Sequence, residues 1–194
     1  LKASFANGYL NVAYFEQSIK GFQSNVFGGT GFNLTNAGKE THEGVELDSM
    51  FALTDNFIVG FSAMYIDAVY DEFLNGTCDA TGLAEPRYAC PAGQKTIDLS
   101  GRSPAGIHEL SYNVNATYNF AMAGGVDGFF RVEYLHEKDV KLADLIPFSI
   151  ASRGSDNLNA SLGFSSANGG WDAMLWGRNL TDHKTLISAF PTPA

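Results

Sequence analysis

The chain has 194 residues, 45% hydrophobic and 17% charged, which is enough apolar content to fold and too little charge for a disordered segment. No apolar run approaches the roughly 20 residues of a transmembrane helix, so any crossing of a bilayer would have to be made by strands. A net charge of −9, a pI near 4.7 and the lack of any basic cluster exclude a binder of the nucleic-acid backbone, which needs grouped Lys and Arg.

The chain begins at Leu1 without an initiator Met or an apolar leader, and so reads as a fragment whose export signal lies elsewhere. With 21 Gly, 15 Phe and 8 Tyr against 6 Pro, it suits many strands joined by turns better than a helical bundle. The first predicted strand covers 8–23. A connection over 24–38 contains Gly28-Gly29-Thr30-Gly31, which lacks the Lys and following helix of a phosphate-binding loop and reads as a flexible external loop.

The second strand, 39–53, sets Val45, Leu47, Phe51 and Leu53 against Glu46 and Asp48, with Ser49 the one polar residue on the apolar side. Thr54 and Asp55 turn the chain into a third strand, 56–73, whose face of Phe57, Val59, Phe61, Ala63 and Tyr65 is blurred by Ile58, Met64 and Ile66. The longest connection, 74–107, holds Cys78 and Cys90. A pair twelve apart in a Gly- and Pro-containing loop fits a disulfide better than zinc, which needs more ligands, and places that loop in an oxidising compartment.

The fourth strand, 108–120, is the clearest. From Leu110 to Phe120, Leu110, Tyr112, Val114, Ala116, Tyr118 and Phe120 alternate with Ser111, Asn113, Asn115, Thr117 and Asn119. Eleven residues at roughly 3.3 Å each, tilted by about 45°, rise about 25 Å, the height of a bilayer's hydrocarbon layer. The same alternation also serves a half-buried sheet in a soluble sandwich. A Gly124-Gly125 turn leads to the fifth strand, 128–138, with Phe130, Val132 and Tyr134 opposite Arg131 and Glu133. After a connection over 139–155, the sixth strand, 156–165, sets Leu158, Ala160, Leu162 and Phe164 against Asn157, Asn159, Ser161 and Gly163. Asn168-Gly169-Gly170 turns into the seventh, 171–180.

Seven strands, no convincing helix, and strict alternation of short turns with long connections describe an all-β, antiparallel, up-and-down transmembrane barrel better than a sandwich. A barrel closes hairpins on one side of the membrane and extends loops on the other. Tyr9, Tyr65, Tyr70, Tyr118, Phe120 and Trp171 near strand ends suit either interfacial girdles or ordinary sheet positions.

Several segments together resemble the β-barrel of TonB-dependent outer-membrane receptors. Thr41-His42-Glu43-Gly44-Val45-Glu46-Leu47 is similar to that family's t-x-x-G-v-E-l strand, in which Gly44 and Glu46 match. The stretch from Asp98 through Ser100, Gly101 and Arg102 to Pro104 resembles a loop that precedes a later strand. Trp176-Gly177-Arg178-Asn179-Leu180-Thr181-Asp182 resembles the w-g-r-N-L-t-D motif near the family's carboxyl end, and is the most specific of the three.

The resemblance implies a barrel of about twenty-two strands around an amino-terminal plug, with residues 1–194 supplying roughly strands fifteen to twenty-one. The plug, the TonB-contacting box and an aromatic-ended final strand are absent from this sequence. It implies an outer-membrane receptor of a Gram-negative bacterium that imports a scarce, bulky nutrient with energy relayed by TonB. Siderophore-iron, cobalamin and oligosaccharide all remain open as ligands, and Tyr70, Phe73 and Tyr88 near the longest loop would suit sugar stacking. Partners on this reading are outer-membrane lipid, the TonB system through the plug, and the nutrient. The rivals are a soluble or surface carbohydrate-binding sandwich and a passive porin.

Catalytic chemistry finds no support. His42, His108, His136 and His183 are scattered, His136-Glu137 lacks the second His of a zinc motif, and no Gly-x-Ser-x-Gly elbow exists. No cofactor is expected. Glu46, Asp48, Asn113, Asn115, Arg131 and Glu133 project to the polar face as candidate lumen lining, solvated or in contact with a plug or solute. Asp67, Asp71, Glu72 and Asp98 form a weak cation candidate without a calcium-loop spacing. Five Asn-x-Ser/Thr matches, at Asn33, Asn75, Asn115, Asn159 and Asn179, read as by-products of Asn/Thr-rich faces.

Overall fold

Polar and apolar residues alternate along nearly every long segment, and the backbone answers with one meandering antiparallel sheet. The computed structural model describes residues 1–27, 32–36, 38–79, 86–147 and 149–189. Its strands are β1 (Lys2–Phe5), β2 (Gly8–Lys20), β3 (Gln23–Phe27), β4 (Phe32–Asn36), β5 (Lys39–Thr54), β6 (Phe57–Glu72), β7 (Gly76–Thr77), β8 (Thr96–Ile97), β9 (Leu110–Met122), β10 (Val126–Lys141), β11 (Ser152–Ser166) and β12 (Asp172–Gly177). Eight of them form the sheet β1-β2-β5-β6-β9-β10-β11-β12, each paired antiparallel with its neighbour, and the sheet is open with β1 and β12 at its edges. No helix among the described residues is long and apolar enough to cross a membrane.

The four short turns that join neighbouring strands of this sheet, after β1, β5, β9 and β11, lie at one end, and the three long connections lie at the other. All seven predicted strands are present. The structure adds β1, too short for its alternation to stand out, and the two small hairpins β3–β4 and β7–β8 inside connections read as loops. The seventh strand is shorter than predicted. It stops at Gly177 because Asn179 and Asp182 adopt φ of 48° and 51°, which turns the backbone off the extended path. The Gly28–Gly31 run lies outside the described residues.

Register fixes which residues share a face. Val45 pairs with Tyr14 and Tyr65, Phe61 with Val114, Val114 with Tyr134, and Tyr134 with Leu158, so the apolar sets of adjacent strands merge into one band about nine residues deep. That band stays open to its surroundings: Val45, Phe61, Tyr65, Val114, Tyr118 and Phe130 are each exposed by more than a third. The accessible surface, 12223 Å², exceeds the roughly 9,000 Å² of a compact folded protein of 20.9 kDa. A soluble sandwich would bury the apolar face of such a sheet; here that face is uncovered.

Aromatic rings mark both margins of the band. At the turn end Phe5 meets Phe51 at 5.7 Å, and Phe120 meets Tyr118 and Phe164 at 6.2 and 6.1 Å. At the loop end stand Tyr14, Tyr65, Tyr112 and Tyr134. Their tips reach the polar residues just beyond: Tyr14 donates to Glu43 at 3.1 Å and Tyr134 to Asp156 at 2.6 Å. Tyr65 stands at the loop-end margin of the band, Tyr118 and Phe120 at the turn-end margin, and Trp171 lies at the turn end. Tyr9 and Tyr70 stand at neither margin, because odd–even parity puts both on the polar face.

Candidate functional site

The polar face is built from the other half of each alternation. Glu46, Asp48, Asn113, Asn115, Arg131 and Glu133 all lie on it. Asp48 and Asn113 are both opposite Ser62, Asn115 is directly opposite Glu133, and the Asn115 amide donates to Asn113 Oδ1 at 3.2 Å. Glu46 sits one pleat nearer the loops, opposite Met64, and does not join this group.

Toward β12 the face forms a cleft of about 430 Å³ lined by Arg131, Glu133, Asn159, Ser161, Trp176 and Arg178, among others. Arg131 Nη2 lies 3.5 Å from Glu133 Oε2, and the Arg178 guanidinium carbon stands 5.4 Å from the centre of the Trp176 ring. Asn159, Ser161, Trp176 and Arg178 were not read as lining. Parity alone places Asn159 and Ser161 beside Glu133 and Arg131, whereas Trp176 and Arg178 belong to a motif noticed for its family likeness.

The glycine of the first motif has a steric reason. A Cβ on Gly44 would lie 2.2 Å from the Tyr65 carbonyl oxygen and 2.8 Å from the Phe15 ring, so a ring covers the strand where a side chain would stand. A Cβ on Gly177 would meet only the tip of the exposed Leu180 side chain, at 2.7 Å, which can turn aside. The rest of that motif is a clasp. The Asn179 backbone N–H donates to Asn159 Oδ1 at 3.0 Å, while its side chain donates to the His183 carbonyl at 3.0 Å and accepts from the His183 N–H at 2.9 Å. The Leu180 N–H donates to the Leu158 carbonyl at 2.8 Å, and the Thr181 hydroxyl to the Asp156 carbonyl at 2.9 Å. The chain thus stays fastened to β11 after the strand has ended.

Above the wall, at the loop end, a canopy has its own core: Tyr70, Phe73, Tyr88 and Leu99, each less than 5% exposed, with Phe22, Ile97 and Leu145 against them. Tyr70 and Phe73 pack edge-on at 4.9 Å. These aromatics are therefore internal packing, and the sugar-stacking expectation for Tyr70, Phe73 and Tyr88 is overturned by their burial. Cys78 and Cys90 are disulfide-bonded, tying the short 3₁₀ turn Pro86–Tyr88 to the strand-like segment at Asp79. Arg102, Arg87 and Lys141 approach the Tyr88 ring to 4.5, 5.2 and 5.4 Å, and Lys141 Nζ donates to its hydroxyl at 3.0 Å.

The segment from Asp98 to Pro104 docks on the end of β6. The Tyr70 N–H donates to the Arg102 carbonyl at 2.9 Å, and the Gly101 N–H, from a residue at φ 77°, returns to the Tyr70 carbonyl at 2.7 Å. The Phe73 N–H donates to Ser100 Oγ at 2.9 Å. Asp98 accepts from the Ser100 N–H at 2.8 Å, and hydrogen bonds from Ser100 hold its carboxyl below the usual range. Asp144 joins the third loop to this assembly, accepting from the Tyr70 hydroxyl at 3.1 Å and the Ala105 N–H at 2.9 Å. Desolvation nonetheless pushes its carboxyl up.

The cation candidate dissolves. Asp71 pairs with Lys39 at 2.8 Å and accepts from Thr41, Asp98 is a local cap, and among the described residues no three His, Cys, Asp or Glu side chains converge on a metal-sized point. One polar pair escaped the sequence reading: Glu40, 1% exposed, holds His42 Nε2 through one carboxylate oxygen beneath the canopy.

Comparison with known proteins gives one family. The family described as TonB dependent receptor-like, beta-barrel matches residues 1–180. No curated protein matches the chain.

Proposed function

Because the chain belongs to the TonB-dependent receptor β-barrel family, its match spanning nearly the whole length, we propose that it forms part of the wall of an outer-membrane receptor. On this reading the receptor imports a scarce, bulky nutrient with energy relayed by TonB. The observation that carries it is the pair of unlike faces on one eight-stranded sheet. An uncovered apolar band between aromatic margins is what lipid contacts, and a face of Asn, Ser, Glu and Arg is what a hydrated or plugged lumen requires. Turns at one end and built loops at the other give the sheet a periplasmic and an external side. On this reading Glu46, Asp48, Asn113, Asn115, Arg131 and Glu133 line the lumen. The plug would be supplied by sequence outside residues 1–194.

In the mechanism this implies, the canopy presents a prearranged surface to the ligand rather than a floppy loop. Its core and its disulfide limit the conformational freedom lost on capture. The polar wall then holds the moving plug through side chains such as Arg131 and Glu133, which at 3.5 Å are only loosely paired with each other and can exchange partners.

Cells producing the intact protein test this. Accumulation of its nutrient should collapse when the proton-motive force is dissipated or TonB is deleted. Uptake indifferent to both treatments would make the protein a porin, and recovery of the intact protein in the soluble fraction would restore the sandwich.

A further inference from the structure

Resting on the reading of the long connections as the external side, we propose that Glu40 is a lifting device built into the wall. Its buried carboxylate holds the canopy near the balance between lying on the wall and rising from it. Glu40 lies on the polar face of β5, between Ile19 and Tyr70 on the ladder, and is 1% exposed. Glu46, on the same face of the same strand, is exposed. What covers Glu40 is therefore the canopy, whose core starts at Tyr70 with Phe22 and Phe73 packed on it.

Burial of a carboxylate needs partners for both oxygens, and Glu40 has one. Oε1 holds His42 Nε2, while Oε2 is buried without a hydrogen-bond partner. The neighbouring donors are engaged elsewhere: the Tyr70 hydroxyl donates to Asp144 at 3.1 Å, and Lys39, on the other face of β5, pairs with Asp71 at 2.8 Å. An acceptor buried unpaired costs its full desolvation, and water that reaches Oε2 when the canopy rises removes that cost. The contacts that oppose rising are the small core and the bonds that hold 99–102 on the end of β6, such as Leu99 N–H to the Phe73 carbonyl at 2.9 Å. Two opposed terms of similar size keep a raised state populated, and a cover that must admit a bulky nutrient needs such a state.

The test is amide hydrogen exchange of the intact protein in detergent micelles, read at Tyr70, Phe73, Leu99 and Gly101, whose N–H groups tie the second connection to the end of β6. E40M keeps most of the volume and removes the carboxylate, so exchange at these four amides should slow about tenfold or more, with β9 to β11 unchanged. Misfolding does not produce such a gain. E40Q removes the charge but keeps a buried polar group, and should fall between E40M and wild type. H42A takes away the one partner of Glu40 and should speed the same amides, but not in the E40M background, where no carboxylate is stranded. Exchange in E40M equal to or faster than wild type would mean that Oε2 is partnered, and would overturn the proposal; so would an H42A effect of the same size in both backgrounds. Exchange in micelles needs no energy source, which separates the two readings. Energised uptake with unslowed E40M removes the lifting device alone, and slowed E40M with energy-independent uptake removes the transport reading alone.

Discussion

Arginine placed at three neighbouring positions of β9 tests the orientation of the whole sheet. The apolar face of this strand runs from Tyr112 to Phe120, eight steps of about 3.3 Å, which at a tilt near 45° is about 19 Å in height, with Ala116 at the centre. Ala116 lies between Val59 and Val132, so Ala116→Arg puts a guanidinium at the middle of the band, where the cost is about 2–4 kcal/mol. Val114, between Phe61 and Tyr134, is about 5 Å higher, halfway to the margin, and Val114→Arg should cost about 1–2.5 kcal/mol. Asn115 points the other way, opposite Glu133. Asn115→Arg loses the bond to Asn113, about 1 kcal/mol, and regains part of it from the Glu133 charge, for a net cost under about 1 kcal/mol. The assay is denaturant unfolding of the intact protein from lipid vesicles, where 2–4 kcal/mol appears as a roughly thirty- to several-hundred-fold change in the folded-to-unfolded ratio. Damage at position 115 equal to that at 116 would refute the assignment of the two faces, and so would a series in which 114 costs more than 116.

Three further outcomes follow from the site. Gly44→Ala should lower stability by about 1–3 kcal/mol, since its Cβ meets a backbone oxygen that cannot move aside, and a thermal unfolding midpoint equal to wild type would contradict that close approach. Replacing Cys78 and Cys90 by Ser should remove at most about 3 kcal/mol from the canopy, seen as faster hydrogen exchange over 76–102 with β9 to β11 unchanged; exchange that spreads into those strands would mean the bridge supports more than the loop. The folded-state pKa of Asp144 lies above its ordinary 3.8, so the folded canopy binds more protons than the unfolded one between those values. Its contribution is full below about 4 and is lost as pH rises through the folded value. Exchange protection around 97–105, corrected for intrinsic rates, should therefore fall with rising pH in wild type and stay flat in Asp144→Asn, and identical profiles would refute the assignment.

The strands and their faces were legible because a period of two is a local property. Phe130 and Arg131 declare their opposite sides without reference to any distant residue. The canopy was not legible, because its core sets Phe22, Tyr88, Leu99 and Leu145, drawn from three connections with no common spacing, around Tyr70 at the end of β6. Aromatic residues there looked available for a ligand when in fact they are the packing. The loop-end ring of tyrosines was missed for a smaller reason. Tyr14, Tyr112 and Tyr134 sit inside their strands in sequence, and only the overhang of β2, β9 and β10 beyond the apolar band puts them at its edge.

The carboxyl-end motif shows how one short sequence serves two ends. Asn179, Leu180 and Thr181 each hydrogen-bond to β11 after the ladder ends, so three of its seven residues are accounted for by the clasp. Trp176 and Arg178 are not. Each lies on the polar side, with a ring or guanidinium that the clasp does not use, and they face Ser161 and Asn159 across the cleft. The hydrogen-bonding residues of the motif fix where those two side chains stand.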